Sequence, residues 1–219
     1  GDGEVTAPDS VMTRSLAGER ALTALLEGKA AVVIGPGLGT SELAAARVAE
    51  VLAAGVPAVL DADALNLLAH DPARIAAAAG PVVITPHPGE AARLLGTTTA
   101  AIEGDRLAAA RALAARTHAT VVLKGARTII CDGMLADDHC TINPSGGPAL
   151  ATAGSGDVLA GTIAAFLAQG VATTDAACLG TYAHGRAGEA LATVHGTRGV
   201  MSSDLPDAIA TALRAIADL

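Results

Sequence analysis

Short runs of consecutive apolar, β-branched residues recur along the chain, separated by longer stretches rich in Ala and Leu. An unbroken apolar run of roughly four to eight residues has no polar face, so it reads as a strand buried on both sides. On that rule residues 30–34, 56–60, 81–84, 119–124 and 128–132 are predicted strands. The Ala/Leu stretches carry helix punctuation. Residues 41–54 follow a Thr40 or Ser41 cap and stop at Gly55. Asp63 is placed as the cap of a short helix to about 69, and Asp71 with Pro72 begins another to about 79. Further helices are predicted over 88–95, 103–116, 158–168, 174–194 (one or two), and 205–217. Strands alternating with helices predict an α/β fold of three αβα layers, with a mostly parallel central sheet flanked by helices. The turn at Asp132-Gly133 and the short segment after it predict an antiparallel hairpin near one edge. No repeat, linker or charge block interrupts the pattern, so residues 1–219 read as a single domain.

Composition narrows the function classes. Of 219 residues 51% are hydrophobic and 16% charged, which excludes disorder. One Tyr, one Phe and no Trp leave no stacking platform for single-stranded nucleic acid, and a net charge of −8 argues against a duplex footprint. Cys131, Cys140 and Cys178 show neither zinc nor CxxC spacing, which favours a reducing compartment. Residues 1–20 lack a signal-peptide pattern, and no run of ~20 apolar residues is present to cross a membrane.

In open α/β sheets ligands sit beyond the carboxyl ends of the strands. The segments there are GPGLG (35–39), DAD (61–63), TPHPGE (85–90) and KGART (124–128). Each carries two readings. GPGLG is a glycine loop admitting a ligand, or an ordinary strand-to-helix turn; it is not a GxGxxG fingerprint. His87, between two prolines, is a hydrogen-bonding group or a turn residue. Glu90 is a first-turn cap or a holder of water and Mg²⁺ near phosphates. Lys124 to Thr128 line a nucleotide or form a solvated hairpin loop. Asp61 and Asp63 are candidate catalytic carboxylates, with capping the favoured role for Asp63. His184, mid-helix, reads as a packed or surface residue. The segment ATAGSGD (151–157) opens a helix with two glycines and unsatisfied amides, an anion hole at the positive end of a dipole. Asp157 there is either a first-turn carboxylate favouring the dipole, or a base for the group that attacks a phosphate.

Taken in order, GPGLG, DADAL, TPHPGE, LKGxxT, ATAGSGDVLAG and YxHGxAGE resemble the ADP- or ATP-dependent NAD(P)H-hydrate dehydratases of the ribokinase-like superfamily, over residues 30–219. The resemblance implies a cytoplasmic metabolite-repair enzyme. ADP (or ATP), with Mg²⁺, phosphorylates the hydroxyl of hydrated NADH or NADPH, and loss of phosphate restores the ring. It implies Asp157 as the base and the amides of Ala153, Gly154, Ser155 and Gly156 as the anion hole. Gly37, Gly39, His87 and Asp157 would meet the hydrated dinucleotide. Lys124, Gly125, Ala126, Arg127, Thr128 and Gly156 would hold the nucleotide, and Glu90 would hold Mg²⁺ through water. A homo-oligomer, tetrameric in the family, is also implied. Two departures stand out. Arg127 occupies a position where Gly is usual, and residues 1–29 do not match the βαβ unit with which the family begins, so the chain reads as the C-terminal majority of a longer enzyme. The competing readings are a vitamin or sugar kinase of the same superfamily and a non-catalytic nucleotide-binding remnant.

Overall fold

The computed structural model describes residues 11–14, 16, 22–134 and 139–217. The reading of residues 1–20 falls largely outside them, as does 135–138. The strands are β1 (Val32–Ile34), β2 (Ala58–Leu60), β3 (Val82–Ile84), β4 (Thr120–Leu123), β5 (Ile129–Cys131) and β6 (Cys140–Ile142). They form one sheet in the order β1-β2-β3-β4-β5-β6. The first four are mutually parallel, and β5 and β6 run antiparallel to their neighbours at one edge. The mostly parallel sheet and the edge hairpin thus stand as the pattern predicts.

Helices cover both faces. They are α1 (Thr23–Leu26), α2 (Glu42–Ala53), α3 (Asp63–Leu68), α4 (Ala73–Ala76), α5 (Pro88–Leu95), α6 (Thr99–Gly104), α7 (Arg106–Thr117), α8 (Ser155–Ala168), α9 (Thr173–His195) and α10 (Leu205–Ala217). Alternate strand residues point to opposite layers. Leu60, Ile84, Val121 and Leu123 pack with Val48, Leu65, Leu94 and Leu113 of α2, α3, α5 and α7. Val59, Val83, Val122 and Ile130 pack with Leu159 and Ile163 of α8 and with Ala176 and Ala177 of α9. Burial of each of these Val, Leu and Ile side chains contributes about 1.5–3 kcal/mol, so the sheet is a rigid base for the loops at its ends. None of the described helices is long and apolar enough to cross a membrane.

Four local differences from the sequence reading have physical causes. The helix predicted over 103–116 is two helices. Asp105, at φ −148° and ψ 83°, leaves the helical region, and its carboxylate accepts from the Ala108 amide at 2.9 Å to cap α7. The helix expected over 71–79 shrinks to the single turn of α4. Helix α8 starts at Ser155 rather than near 158, because Gly154 turns into the left-handed region at φ +80°. Cys131 and Cys140, directly opposed in the β5–β6 register, form a disulfide, while Cys178 is a free thiol. Cysteine spacing alone carries no register, so it pointed to a reducing compartment and gave no hint of this pair.

Candidate functional site

Parallel β1 to β4 deliver Gly35, Asp61, Thr85 and Lys124 to one rim, and antiparallel β5 starts there after Thr128. The two cavities found elsewhere lie toward the other end of the sheet. One, of about 70 Å³, is lined by Arg111, Cys131 and Asp132; the other, of about 220 Å³, lies between α2 and α4. The candidate site is the rim itself.

Each loop on the rim is locally determined. The Leu38 amide donates to the Gly35 carbonyl at 3.0 Å, closing a turn with Pro36 and Gly37 at its centre. Gly37, at φ +64°, supplies the left-handed residue that such a Pro-Gly turn requires. Gly35 serves a different need: a Cβ there would lie 1.7 Å from the Asp61 carbonyl oxygen, so the loop can pass β2 only as glycine. The Gly39 amide donates to Asp63 Oδ2 at 2.8 Å. This corrects the expectation for Asp63. It is the first residue of α3 and caps nothing; Ala62 holds the cap position at φ +49° without a side-chain bond. The Asp63 carboxylate instead ties the glycine loop to the end of β2.

His87 and Glu90 form a reciprocal cap at the start of α5. His87 Nδ1 accepts from the Gly89 amide at 3.0 Å, and Glu90 Oε2 accepts from the His87 amide at 2.8 Å. With Nδ1 accepting, the ring's proton sits on Nε2, on a half-exposed side chain 3.4 Å from Glu90 Oε1. The capping reading of this segment is what the geometry shows, with the imidazole half-exposed at the rim.

Lys124 is the hub. Its ammonium lies 2.7 Å from Asp61 Oδ1 and 4.0 Å from Glu90 Oε2. Both carboxylates are buried, Asp61 at 1% exposure and Glu90 at 5%. On the far side, a Cβ on Gly156 would stand 3.3 Å from Lys124 Nζ and 3.8 Å from Asp61 Oδ2. The opening of α8 therefore lies beside the same ammonium that the ends of β2 and α5 hold. Lys124 is shared by two buried carboxylates, so the donors left for an anionic ligand are the amides at the opening of the neighbouring helix.

The segment expected to form the anion hole runs from Ala153 to Gly156. The amides of Gly156 and Asp157 meet no acceptor among the described residues. The Ser155 amide is turned to the Thr152 carbonyl at 3.2 Å, which leaves it less free than the sequence reading has it. The Ser155 hydroxyl is buried against His184 Nε2 at 3.2 Å, and the same nitrogen lies 3.0 Å from the Ser155 carbonyl. Burial pushes the His184 imidazole down to about 4, so it is neutral and donates to that carbonyl. His184 is thus packed, and its packing holds the turn that aims α8. Asp157 follows in the first turn of α8, with its side chain exposed. Gly154 abuts Ser202, whose Oγ would lie 2.9 Å from an added Cβ.

The nucleotide-loop candidates Lys124 to Thr128 link β4 to β5, with Gly125 at φ +141° and Arg127 at φ +56°. The loop rests on Arg106, which donates to the carbonyls of Leu123, Lys124 and Ala126. Sequence reasoning missed Arg106 and the Asp61–Lys124 pair. No local signal marks either, since the partners are 17 or more residues apart.

A family model described as NAD(P)H-hydrate dehydratase matches residues 4–211. The bifunctional NAD(P)H-hydrate repair enzyme Nnr of Moorella thermoacetica is 49% identical over 89% of this chain and 37% of its own length. The ADP-dependent (S)-NAD(P)H-hydrate dehydratase of Neisseria meningitidis is 47% identical over 73% of this chain and 54% of its own. The crystal structure of the ADP/ATP-dependent NAD(P)H-hydrate dehydratase of Bacillus subtilis, co-crystallised with ATP/Mg²⁺ and soaked with CoA, superposes with a TM-score of 0.76 at 33% identity. It covers 87% of this chain and 68% of that one. This chain thus spans between 37% and 54% of the length of those two curated relatives. The three-layer sheet is the ribokinase-like α/β fold. A glycine loop clamped by Asp63, an imidazole cap, and a lysine hub against the opening of α8 stand on that fold along a sequence matched almost throughout, and on these grounds the chain belongs to the NAD(P)H-hydrate dehydratase family.

Proposed function

We propose that this chain uses ADP to convert hydrated NADH or NADPH back to NADH or NADPH, releasing AMP and phosphate. The observation that carries the reading is the approach of Lys124 Nζ to Gly156, 3.3 Å from where a Cβ would stand, with the only described ammonium of the rim beside the opening of α8, one residue before exposed Asp157. In this reading Asp157 removes the proton of the ring hydroxyl as that oxygen attacks the β-phosphorus of ADP, and AMP departs. Lys124 and the amides of Gly156 and its neighbours take up the charge on the transferred phosphoryl group. Departure of phosphate from the ring carbon, with a proton lost from the adjacent carbon, restores the double bond. General-base catalysis is worth ~10²–10⁴-fold. Each preorganised donor adds about 10²–10³-fold.

The glycine loop with Gly37 and Gly39, and the Nε2–H of His87, would meet the dinucleotide; residues 124–128 would meet the adenosine nucleotide. The Gly39 amide is already engaged by Asp63, so Gly39 would contribute close approach rather than a donor. The described residues hold no group of three His, Cys, Asp or Glu side chains able to cage a metal. Both Glu90 oxygens face His87. These residues do not fit a directly bound metal: magnesium would arrive on the phosphates, with Glu90 acting through water, and no step above depends on it. A homo-oligomer and a cytoplasmic setting belong to the same proposal, the first tested by light scattering.

The products test the reading against a kinase that leaves a stable phosphoester. AMP and free inorganic phosphate in a one-to-one ratio, with reduced dinucleotide formed in equal amount, support it. A phosphorylated product that accumulates, or ADP hydrolysis without recovered dinucleotide, overturns it.

A further inference from the structure

The loop assigned to the nucleotide has its carbonyls and its amides in different states. Arg106, the first residue of α7, donates from Nη2 to the carbonyls of Leu123 and Lys124, each at 3.2 Å, and from Nη1 to that of Ala126. The Thr128 hydroxyl donates to the Gly125 carbonyl at 3.2 Å. Four consecutive carbonyls are thereby satisfied. The amides of Gly125, Ala126 and Arg127 have no acceptor among the described residues. A loop with three of its oxygens drawn onto a guanidinium, a fourth onto a hydroxyl, and its N–H groups unengaged is electropositive on its free side.

The fit around the guanidinium is close. The Arg106 side chain is only 16% exposed, and Nε has no hydrogen-bond partner among the described residues, its nearest carboxylate being Glu103 at 3.9 Å. A Cβ on Gly125 would lie 2.7 Å from Nη2, and at φ +141° a larger residue there is strained and would push the guanidinium aside. Arg106 also adds positive charge beneath a rim where Asp61, Glu90 and Asp157 stand with Lys124. Lysine would not replace it, because one ammonium cannot span three carbonyls as a planar fork does.

We infer that Arg106 is a positioning residue for the nucleotide: it takes up the carbonyls of Leu123, Lys124 and Ala126 so that the loop offers N–H groups to ADP. The inference rests on the proposed assignment of residues 124–128 to the nucleotide. The test compares wild-type, Arg106→Ala and Arg106→Lys proteins by calorimetric titration with ADP and by steady-state kinetics with ADP and hydrated NADH. In Arg106→Ala the Kd and KM for ADP rise at least tenfold and the KM for hydrated NADH stays within twofold. Arg106→Lys lies close to Arg106→Ala, and millimolar guanidinium restores part of the ADP affinity to Arg106→Ala alone. Unchanged ADP affinity in a folded variant overturns the inference, as does an equal rise in both KM values; if the alanine variant fails to fold, the lysine variant is judged by the same criteria. Wild-type protein that binds ADP without turning over hydrated NADH, with binding lost in Arg106→Ala, sinks the dehydratase reading and leaves this inference standing. Wild-type protein that does not bind ADP sinks both.

Discussion

Lys124 sits between two buried carboxylates, so removing the cation and removing one anion should have unequal costs. In Lys124→Met, Asp61 loses its partner at 2.7 Å and Glu90 the same charge at 4.0 Å. Two carboxylates at 1% and 5% exposure are then left without a counter-charge. Breaking a buried pair from one side costs about 3–5 kcal/mol. In Asp61→Asn the amide oxygen still accepts from Lys124 Nζ, and Glu90 still faces the ammonium, so the cost is about 1–2 kcal/mol. The double variant keeps Glu90 as the only charge of the three, still accepting from the His87 amide. It should therefore be more stable than Lys124→Met alone, with a coupling energy of at least about 1 kcal/mol. Urea unfolding at pH 7, followed by circular dichroism, measures all four corners of the cycle at constant slope. Equal costs for the two single variants, or strictly additive costs in the double, would refute the hub.

Three further outcomes follow from the same geometry. Gly35→Ala should lose at least about 3 kcal/mol, because its Cβ overlaps the Asp61 carbonyl and φ is +130°; an unchanged urea midpoint contradicts the close approach. The His184 imidazole is depressed to about 4, so the unfolded chain binds a proton that the folded chain does not between roughly pH 6.5 and 4; stability falls across that window as pH drops, by up to about 3 kcal/mol. Replacing His184 with Asn should flatten that limb, and identical limbs in the two proteins would exclude His184 as its source. Alkylation of the unfolded, unreduced chain should label Cys178 alone, and all three cysteines after reduction; three labels without reductant would show that Cys131 and Cys140 are not joined.

What was legible in the sequence was what sits within a few residues of its own cause. The β-branched runs locate β1 to β4 within a residue or two, because a strand buried on both faces needs no partner to declare itself. The pair of glycines around Ser155 and the His87–Glu90 spacing likewise carry their conformations locally. Asp63 was misread as a cap because the Gly39 amide that claims its carboxylate lies 24 residues away. The break at Asp105 was hidden by Ala-rich flanks with strong helix propensity on both sides. Asp61 and Lys124 were each visible, but 63 residues separate them and only the sheet order makes them neighbours. Arg106 carries no motif at all. Its meaning appears once α7 is laid under the loop after β4. The disulfide needed the β5–β6 register, which the cysteine spacing does not contain.

The measurement that bears most directly on the central proposal is the recovery of reduced-nicotinamide absorbance from chemically hydrated NADH. It is made with ADP and then ATP as donor, beside Asp157→Asn protein that still binds ADP. The account predicts recovery that requires the nucleotide and falls by at least about 10²-fold in the variant. Absence of recovery from folded, ADP-binding protein, or equal recovery in wild type and Asp157→Asn, would contradict it.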